Sequence, residues 1–390
     1  MAYKQLPSLK EPGAFSPRDN IQKAGVVVLG AGIAGLTAAH ELVQQGHSVT
    51  VLDQQPRCGG SHIAENINGY TFDIGSFFFN REHPMFTMFP ETEELFLEAD
   101  CRKLRLAPDG RLRRYPFEPR EVLDWPFWWQ LRAAASLAYN RLFDRNPINT
   151  EQSCIARLGR VMYVRSGLAT YIERLHGFRP NEISNLFFLR RMNFVTRRSG
   201  WTSLARLGLR VFTGKSMRVG TPPTFLIRPK EGFDPVYERI RENLSRRGVN
   251  FHLGESLEHV EAAPGQFRVS TRSSTFESSH LICAMPIATL HDLLFREPSN
   301  LVSCDLLTLY VSASGDNHTD ATVLFNFNPR GKWKRLTVYS KLYGKNEDGR
   351  SYFAVEFPQR KGEVIDPEEA FEGFVRHVTD YGVFEGPIRL

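Results

Sequence analysis

The chain of 390 residues has few cysteines, and the five present (Cys58, Cys101, Cys154, Cys283 and Cys304) are far apart with no C-x-x-C pair. A disulfide framework and a zinc site are therefore not expected, which fits a reducing compartment. A run of about 18 apolar residues is missing too, so no membrane-spanning helix is expected. No apolar leader opens the sequence, and the N-x-S/T sequons at Asn243 and Asn317 read as chance. These absences together predict a cytoplasmic protein. G-x-S-x-G, H-E-x-x-H and paired metal ligands are all lacking, so neither a nucleophile triad nor a metal centre is expected. Charge of one sign is in small excess: 49 Lys and Arg against 43 Asp and Glu give +6. That balance excludes nucleic acid as the expected partner and leaves anionic ligands or a membrane surface open.

What is present suffices for about two domains with a well-buried core. Residues 1–24 are polar with several prolines and read as an irregular extension. From Gly25 the pattern becomes regular. Val26 to Leu29 is a short all-apolar run of the buried parallel-strand kind, Ile33 to Gln45 has helical spacing with Gly46 behind it, and Ser48 to Leu52 is a second strand. Residues 85–225 differ in texture, with helices expected at 120–144, 150–164 and 166–177, and read as a largely helical insertion. Strands and helices alternate again over 226–300. Residues 301–390 hold several antiparallel strands (DLLTLYVSAS, ATVLFNF, KRLTVYSKL, SYFAVEF) and a helix from Pro367 to Tyr381.

Gly30, Gly32 and Gly35 form G-x-G-x-x-G where the first strand meets the first helix. In such a turn the first glycine allows the bend, the second lets backbone approach a pyrophosphate, and the third lets helix and sheet pack closely. Amides at the helix start and its positive dipole end then hold the anion, which brings in Ala31, Ile33 and Ala34 as well. Asp53 ends the second strand about 20 residues on, where a carboxylate accepts bonds from both ribose hydroxyls. A glycine-rich turn binding nothing would explain the glycines but leave Asp53 without a role. The expectation is a bound dinucleotide.

Arg57 lies at plus four from Asp53, and Gly59-Gly60 at plus six and seven. This Arg-x-Gly-Gly spacing resembles the extended fingerprint of the FAD-containing amine oxidase and protoporphyrinogen oxidase superfamily, which includes UDP-galactopyranose mutase. GYTFDIGSFFF (69–79) resembles the family's G-Y-x-F-D-x-G segment, GRLRRYPFEP its Tyr-Pro-Phe segment, and IARLGRVMYVRSGLATYIERLHGFRPNEIS its helical substrate-domain segment. RPKEGFDPVYERIRENLSRRGVNFHLGESLEHV resembles its Pro-x-x-Gly helix with the strand that borders the adenine, and LICAMP its strand ending in proline. The resemblance implies an α/β fold: a Rossmann-like FAD-binding domain (25–84 and 226–300) carrying an inserted mixed helical and antiparallel-sheet substrate domain. It implies FAD as cofactor, with Gln54 and Arg57 at its phosphates and ribose, Gly59 and Gly60 leaving room along the sheet, Gly75 and Ser76 near the flavin ring, and the Leu257 backbone against the adenine. The implied activity is an oxidoreductase acting on a small organic substrate, with a mutase of sugar nucleotides or a non-catalytic member as alternatives. Relatives of the mutase type carry histidines where this chain has Ser76-Phe77-Phe78-Phe79-Asn80, and the family's closing Gly-rich segment has no counterpart before the final EGPIRL. The expectation is a truncated member or a less enclosed flavin.

Several further stretches carry two readings each. Phe77, Phe78 and Phe79 would wall a flavin or form the core of a strand. Arg190-Arg191 and Arg197-Arg198, placed around an expected strand, would hold an anionic substrate or form a solvated basic face. Tyr115 and Tyr339 are pocket candidates. WPFWWQLRAAASLAYNRLF (125–143) mixes tryptophans and arginines at helical spacing, as a peripheral membrane contact would, or a helix packed onto its own protein. The sequence defines no catalytic residue and no oligomeric state.

Overall fold

The computed structural model describes residues 21–75, 77–117, 119–143, 146–192, 224–315, 318–360 and 362–390. The chain divides into two compact units, residues 1–98 with 225–302 and residues 99–224 with 303–390.

The first unit is organised on strand β1 (Ile21–Leu29), helix α1 (Ile33–Gln44) and strand β2 (Val49–Asp53). β1 pairs in parallel with β2 and, on its other side, with Thr275–Cys283; β2 pairs in parallel with Asn250–Leu253. An antiparallel meander (Leu257–Ala263, Gln266–Thr271, Thr275–Cys283) completes a six-stranded sheet. Side chains alternate across a pleated strand, and both faces here are apolar. Val28 and Val51 enter a core with Leu36 of α1 and with Val236, Ile240 and Leu244 of helix Asp234–Arg246. Val27, Leu29 and Leu52 enter the opposite core with Val260, Val269 and Phe276, lined by Leu290 and Leu293 of helix Ile287–Phe295. Each such side chain contributes about 1.5–3 kcal/mol. This is the α/β, Rossmann-like arrangement expected from the sequence.

β1 starts five residues earlier than its apolar run, because Ile21 to Ala24 pair with Thr275 to Ser278. The strand expected in GYTFDIGSFFF is Tyr70–Asp73; it pairs in a hairpin with Ala64–Ile67, a strand the sequence did not suggest, and precedes the three phenylalanines. Phe79 is buried in the first core and bridges Leu226, and Phe77 packs against the same core. The core reading holds for Phe79, while Phe77 is half-buried at the edge of that core.

The second unit holds a seven-stranded sheet in the order Ile388–Arg389, Cys304–Ala313, Ser351–Arg360, Arg335–Val338, Val323–Asn326, Lys103–Leu106, Leu112–Arg114. Helix Pro367–Asp380 supplies Ala370, Phe374 and Val378 to its core. Lys103–Leu106 comes from the stretch expected to be helical and pairs in parallel with Val323–Asn326. Its sequence, KLRL, is only four residues long, and its Arg105 is buried in an ion pair with Glu121 and also donates to Ser166 O. The helix expected at 150–164 is two helices, Thr150–Leu158 and Arg160–Arg165, divided at Gly159. Arg190 and Arg191 are exposed on the last turn of helix Asn185–Arg191, as in the solvated-face reading, while the strand expected after them and Arg197 and Arg198 lie outside the described residues. Tyr115 stacks on Phe325 at 3.9 Å and Tyr339 on Tyr352 at 6.0 Å, both as packed aromatic groups of this unit.

Candidate cofactor site

At the C-terminal end of β1 the three glycines of the turn serve different ends. Gly30 has φ +107°, donates to Leu52 O at 2.8 Å, and would place a Cβ 2.8 Å from Ala284 O. A Cβ at Gly35 would stand 1.9 Å from Gly30 O, so α1 reaches its close seat on the sheet only with glycine there. Gly32 differs. Its φ is −75°, and a Cβ would meet nothing closer than Gly60 Cα, at an ordinary 3.5 Å. Protein packing thus explains two glycines and leaves Gly32 as a side-chain-free position that nothing in the fold requires. A dinucleotide does require it, because its pyrophosphate must come against backbone. The residues present fit that group.

Gly32 is also the N-cap of α1 and provides no side-chain cap, and the first turn carries no acid, so an anion would meet an uncompensated dipole end. Asp53 reaches the same turn: its Oδ2 accepts from Ala31 N–H at 2.6 Å and its Oδ1 from Gln55 N–H at 2.8 Å. The N–H of Ala31 is therefore turned to the carboxylate. Gln54 is exposed beside it.

The second glycine pair returns to the first. Gly59 bridges Gly32 in parallel fashion and donates to Ala31 O at 3.0 Å, while Gly60 packs on Gly32 Cα. Two motifs nearly thirty residues apart in sequence are in backbone contact. Arg57, expected at phosphate oxygens, has its guanidinium between two carboxylates, Glu65 and, at 3.0 Å, Asp234. A phosphate would have to compete with both. The segment leading to Leu257 is tied to the end of β2, since Gly254 N–H donates to Gln55 O at 2.9 Å and Glu255 N–H to Asp53 O at 3.0 Å. Half-buried Leu257 opens the meander beside this corner. Gly75 follows strand Tyr70–Asp73 in the same unit, and Ser76 lies outside the described residues.

Sequence reasoning missed two groups. His62 N–H donates to Gly59 O at 3.0 Å; its ring lies parallel to that of Phe233 at 5.1 Å, meets Phe77 edge-on at 4.5 Å, and its Nδ1 bonds Tyr237 OH. Burial lowers its pKa to about 4, with His83 adding to the effect. It fastens the glycine pair to helix Asp234–Arg246 as a neutral ring. Arg228 is the other. It is 1% exposed, pairs with Asp73 of the FD-x-G segment, and donates to Pro229 O at 2.7 Å and to Lys230 O and Thr71 O at 3.0 Å. The only sequence signal for either was position: His62 two residues after Gly60, Arg228 just before the Pro-x-x-Gly turn. Nucleophilic chemistry gains no support here, since burial pushes the Cys58 thiol beside Gly59 up to about 12. Among the described residues no cluster of His, Cys, Asp or Glu could hold a metal.

The chain is similar to known proteins over much of its length. Putrescine oxidase of Kocuria rosea is 36% identical over 95 residues, which are 23% of this chain and 20% of that protein. The zeta-carotene-forming phytoene desaturase of Myxococcus xanthus is 27% identical over 279 residues, 62% of this chain and 49% of that one. The matches thus span half or less of these relatives. Among solved structures, reduced UDP-galactopyranose mutase has a TM-score of 0.75 at 16% identity, covering 94% of this chain and 81% of its own. Putrescine oxidase bound to putrescine has a TM-score of 0.58 at 16% identity, covering 94% and 82%. These structural likenesses show the fold. Residues 33–303 match the family described as flavin containing amine oxidoreductase, and over that span, well beyond half of its length, the chain belongs to this flavoprotein family.

Proposed function

We propose that the first unit binds FAD and that the chain is an FAD-dependent oxidoreductase acting on a small organic substrate. One observation carries the reading. The turn at Gly30–Gly35 and the pair Gly59-Gly60 close on each other around Gly32, which has no packing reason to be glycine, at the corner where Asp53 ends β2. A family built around flavin supports the identity of the ligand.

In this reading the Gly32 backbone and the start of α1 take the pyrophosphate. Asp53 exchanges its bond to the Ala31 amide for ribose hydroxyls, Gln54 lies beside it, and the backbone at Leu257 borders the adenine. Gly59 and Gly60 give the cofactor passage along the sheet, with Arg57 added where the anion draws it from Glu65 and Asp234. Gly75 and Ser76 belong near the ring. Bound flavin would supply the redox step, accepting an electron pair and hydrogen from a C–N or C–C bond; oxidases and a desaturase among the relatives support that range. The protein's own task is orientation and exclusion of water, and no catalytic side chain is assigned.

Titration of the purified chain with FAD, followed by visible absorbance after gel filtration, tests this. Retention of yellow flavin in equimolar amount is the expected result. Colourless protein with an unchanged thermal midpoint would favour a non-catalytic scaffold.

A further inference from the structure

Helix Phe127–Phe143 is amphipathic in the inverted sense. The side turned to its own unit is small and polar: Ala133 and Asn140 are buried, and Asn140 Nδ2 donates back to Ser136 O at 2.5 Å. Gly159 lies so near the helix that an added Cβ would come within 2.7 Å of Leu137 N. The large apolar groups face out. Phe127, Trp128, Leu131, Tyr139, Leu142 and Phe143 are between 45% and 73% exposed, and Ala135 and Ala138 are exposed among them. Positions 128, 131, 135, 138 and 142 recur at helical spacing, so the groups form one stripe about 25 Å long. An apolar stripe of this extent is rare on a surface that faces only water.

Charge identifies the partner. From Trp125 to Arg165 there are six arginines against Asp144 and Glu151, a net +4 out of +6 for the whole chain. Two of the arginines border the stripe: Arg132 lies 5.1 Å from the Trp129 ring, and Arg165 lies 4.3 Å from Trp129 and 5.0 Å from Trp125. A second copy of the chain would bring the same positive surface against itself, so self-association is opposed. An anionic bilayer meets both features, since indoles settle at the headgroup level, guanidinium groups take lipid phosphates, and the stripe enters the acyl boundary. No described helix is long and apolar enough to cross a membrane, so the contact lies on the surface.

We propose that helix Phe127–Phe143 docks the protein on an anionic phospholipid surface, with Phe127, Trp128, Leu131, Leu142 and Phe143 inserted and Arg132 and Arg165 on lipid phosphates. The inference does not depend on the flavin. It is tested by co-sedimenting the full chain with vesicles of phosphatidylcholine alone and of phosphatidylcholine with phosphatidylglycerol. The chain is expected to sediment with the mixed vesicles, less so as salt rises. Trp128→Ser with Leu131→Ser should weaken the partition at least tenfold, whereas Val364→Ser, at an exposed apolar position elsewhere, should not change it. Because the replaced side chains are exposed, far-UV dichroism and elution volume should stay those of the parent. Arg132→Gln with Arg165→Gln should lower binding to the anionic vesicles alone. Absence of sedimentation with either vesicle would overturn the proposal. So would binding that survives the Trp128 and Leu131 changes, or a concentration-dependent dimer that those changes dissolve.

Discussion

Glycine occupies three positions of one turn for reasons that separate by distance. At Gly35 a methyl group would press on Gly30 O at 1.9 Å, so Gly35→Ala is expected to destabilise the fold by about 2–4 kcal/mol, measured by denaturant melts. The spacing of the motif was legible in the sequence. The roles of its first and third glycines, a bend and close packing, were legible too; the open space beside Gly32 was not, because it depends on Gly59-Gly60 arriving from another segment. The buried histidines were equally hidden, since neither lies in a motif. His62, and His377 where Trp333 Nε1 donates to its Nδ1 at 2.9 Å, are both lowered from the usual 6.5 to about 4 by burial. The unfolded chain therefore binds these protons first. Their contribution to stability is intact above pH 6.5 and is lost as pH falls through 4, by up to roughly 1.4 kcal/mol per pH unit for each proton taken up. Melts between pH 7 and pH 4 should show this slope, and His62→Gln should flatten it.

At the scale of elements, Arg228 joins strand Tyr70–Asp73 to the loop that enters helix Asp234–Arg246. Both charges are buried, so removing one leaves the other unsolvated. Arg228→Met should cost about 3–5 kcal/mol in thermal or chemical unfolding, and Asp73→Leu in the same chain should restore much of it. A loss no larger for Arg228→Met than for an exposed arginine such as Arg272 would remove this pair from the account. β2, α1 and the long helices were legible because their apolar periodicity is complete. Strand Lys103–Leu106 was not, since its alternation of cation and leucine runs for only four residues inside a stretch of helical texture. The single helix expected over 150–164 failed at Gly159, whose φ of +75° admits no continuing helix.

On the scale of the whole molecule, the chain forms a unit, leaves it to build most of another, returns, and leaves again. The α/β class was legible from the strand–helix–strand opening. The membership of residues 85–98 in the first unit was not, because contacts between distant segments leave no local pattern. That nested order places both halves of the cofactor corner in one folding unit, so ligand binding and unfolding of that unit are linked. FAD at a hundred times its dissociation constant should stabilise it by about 2.7 kcal/mol, seen as a concentration-dependent rise in the thermal midpoint.

The central claim is that Gly32 is kept bare for a pyrophosphate. Equilibrium titration of FAD against the parent chain and Gly32→Val tests it most directly. The account predicts saturable binding by the parent, and affinity at least tenfold weaker in a variant whose melting in the absence of FAD is close to the parent's. Equal affinity in the two proteins, or no uptake by either, would contradict it.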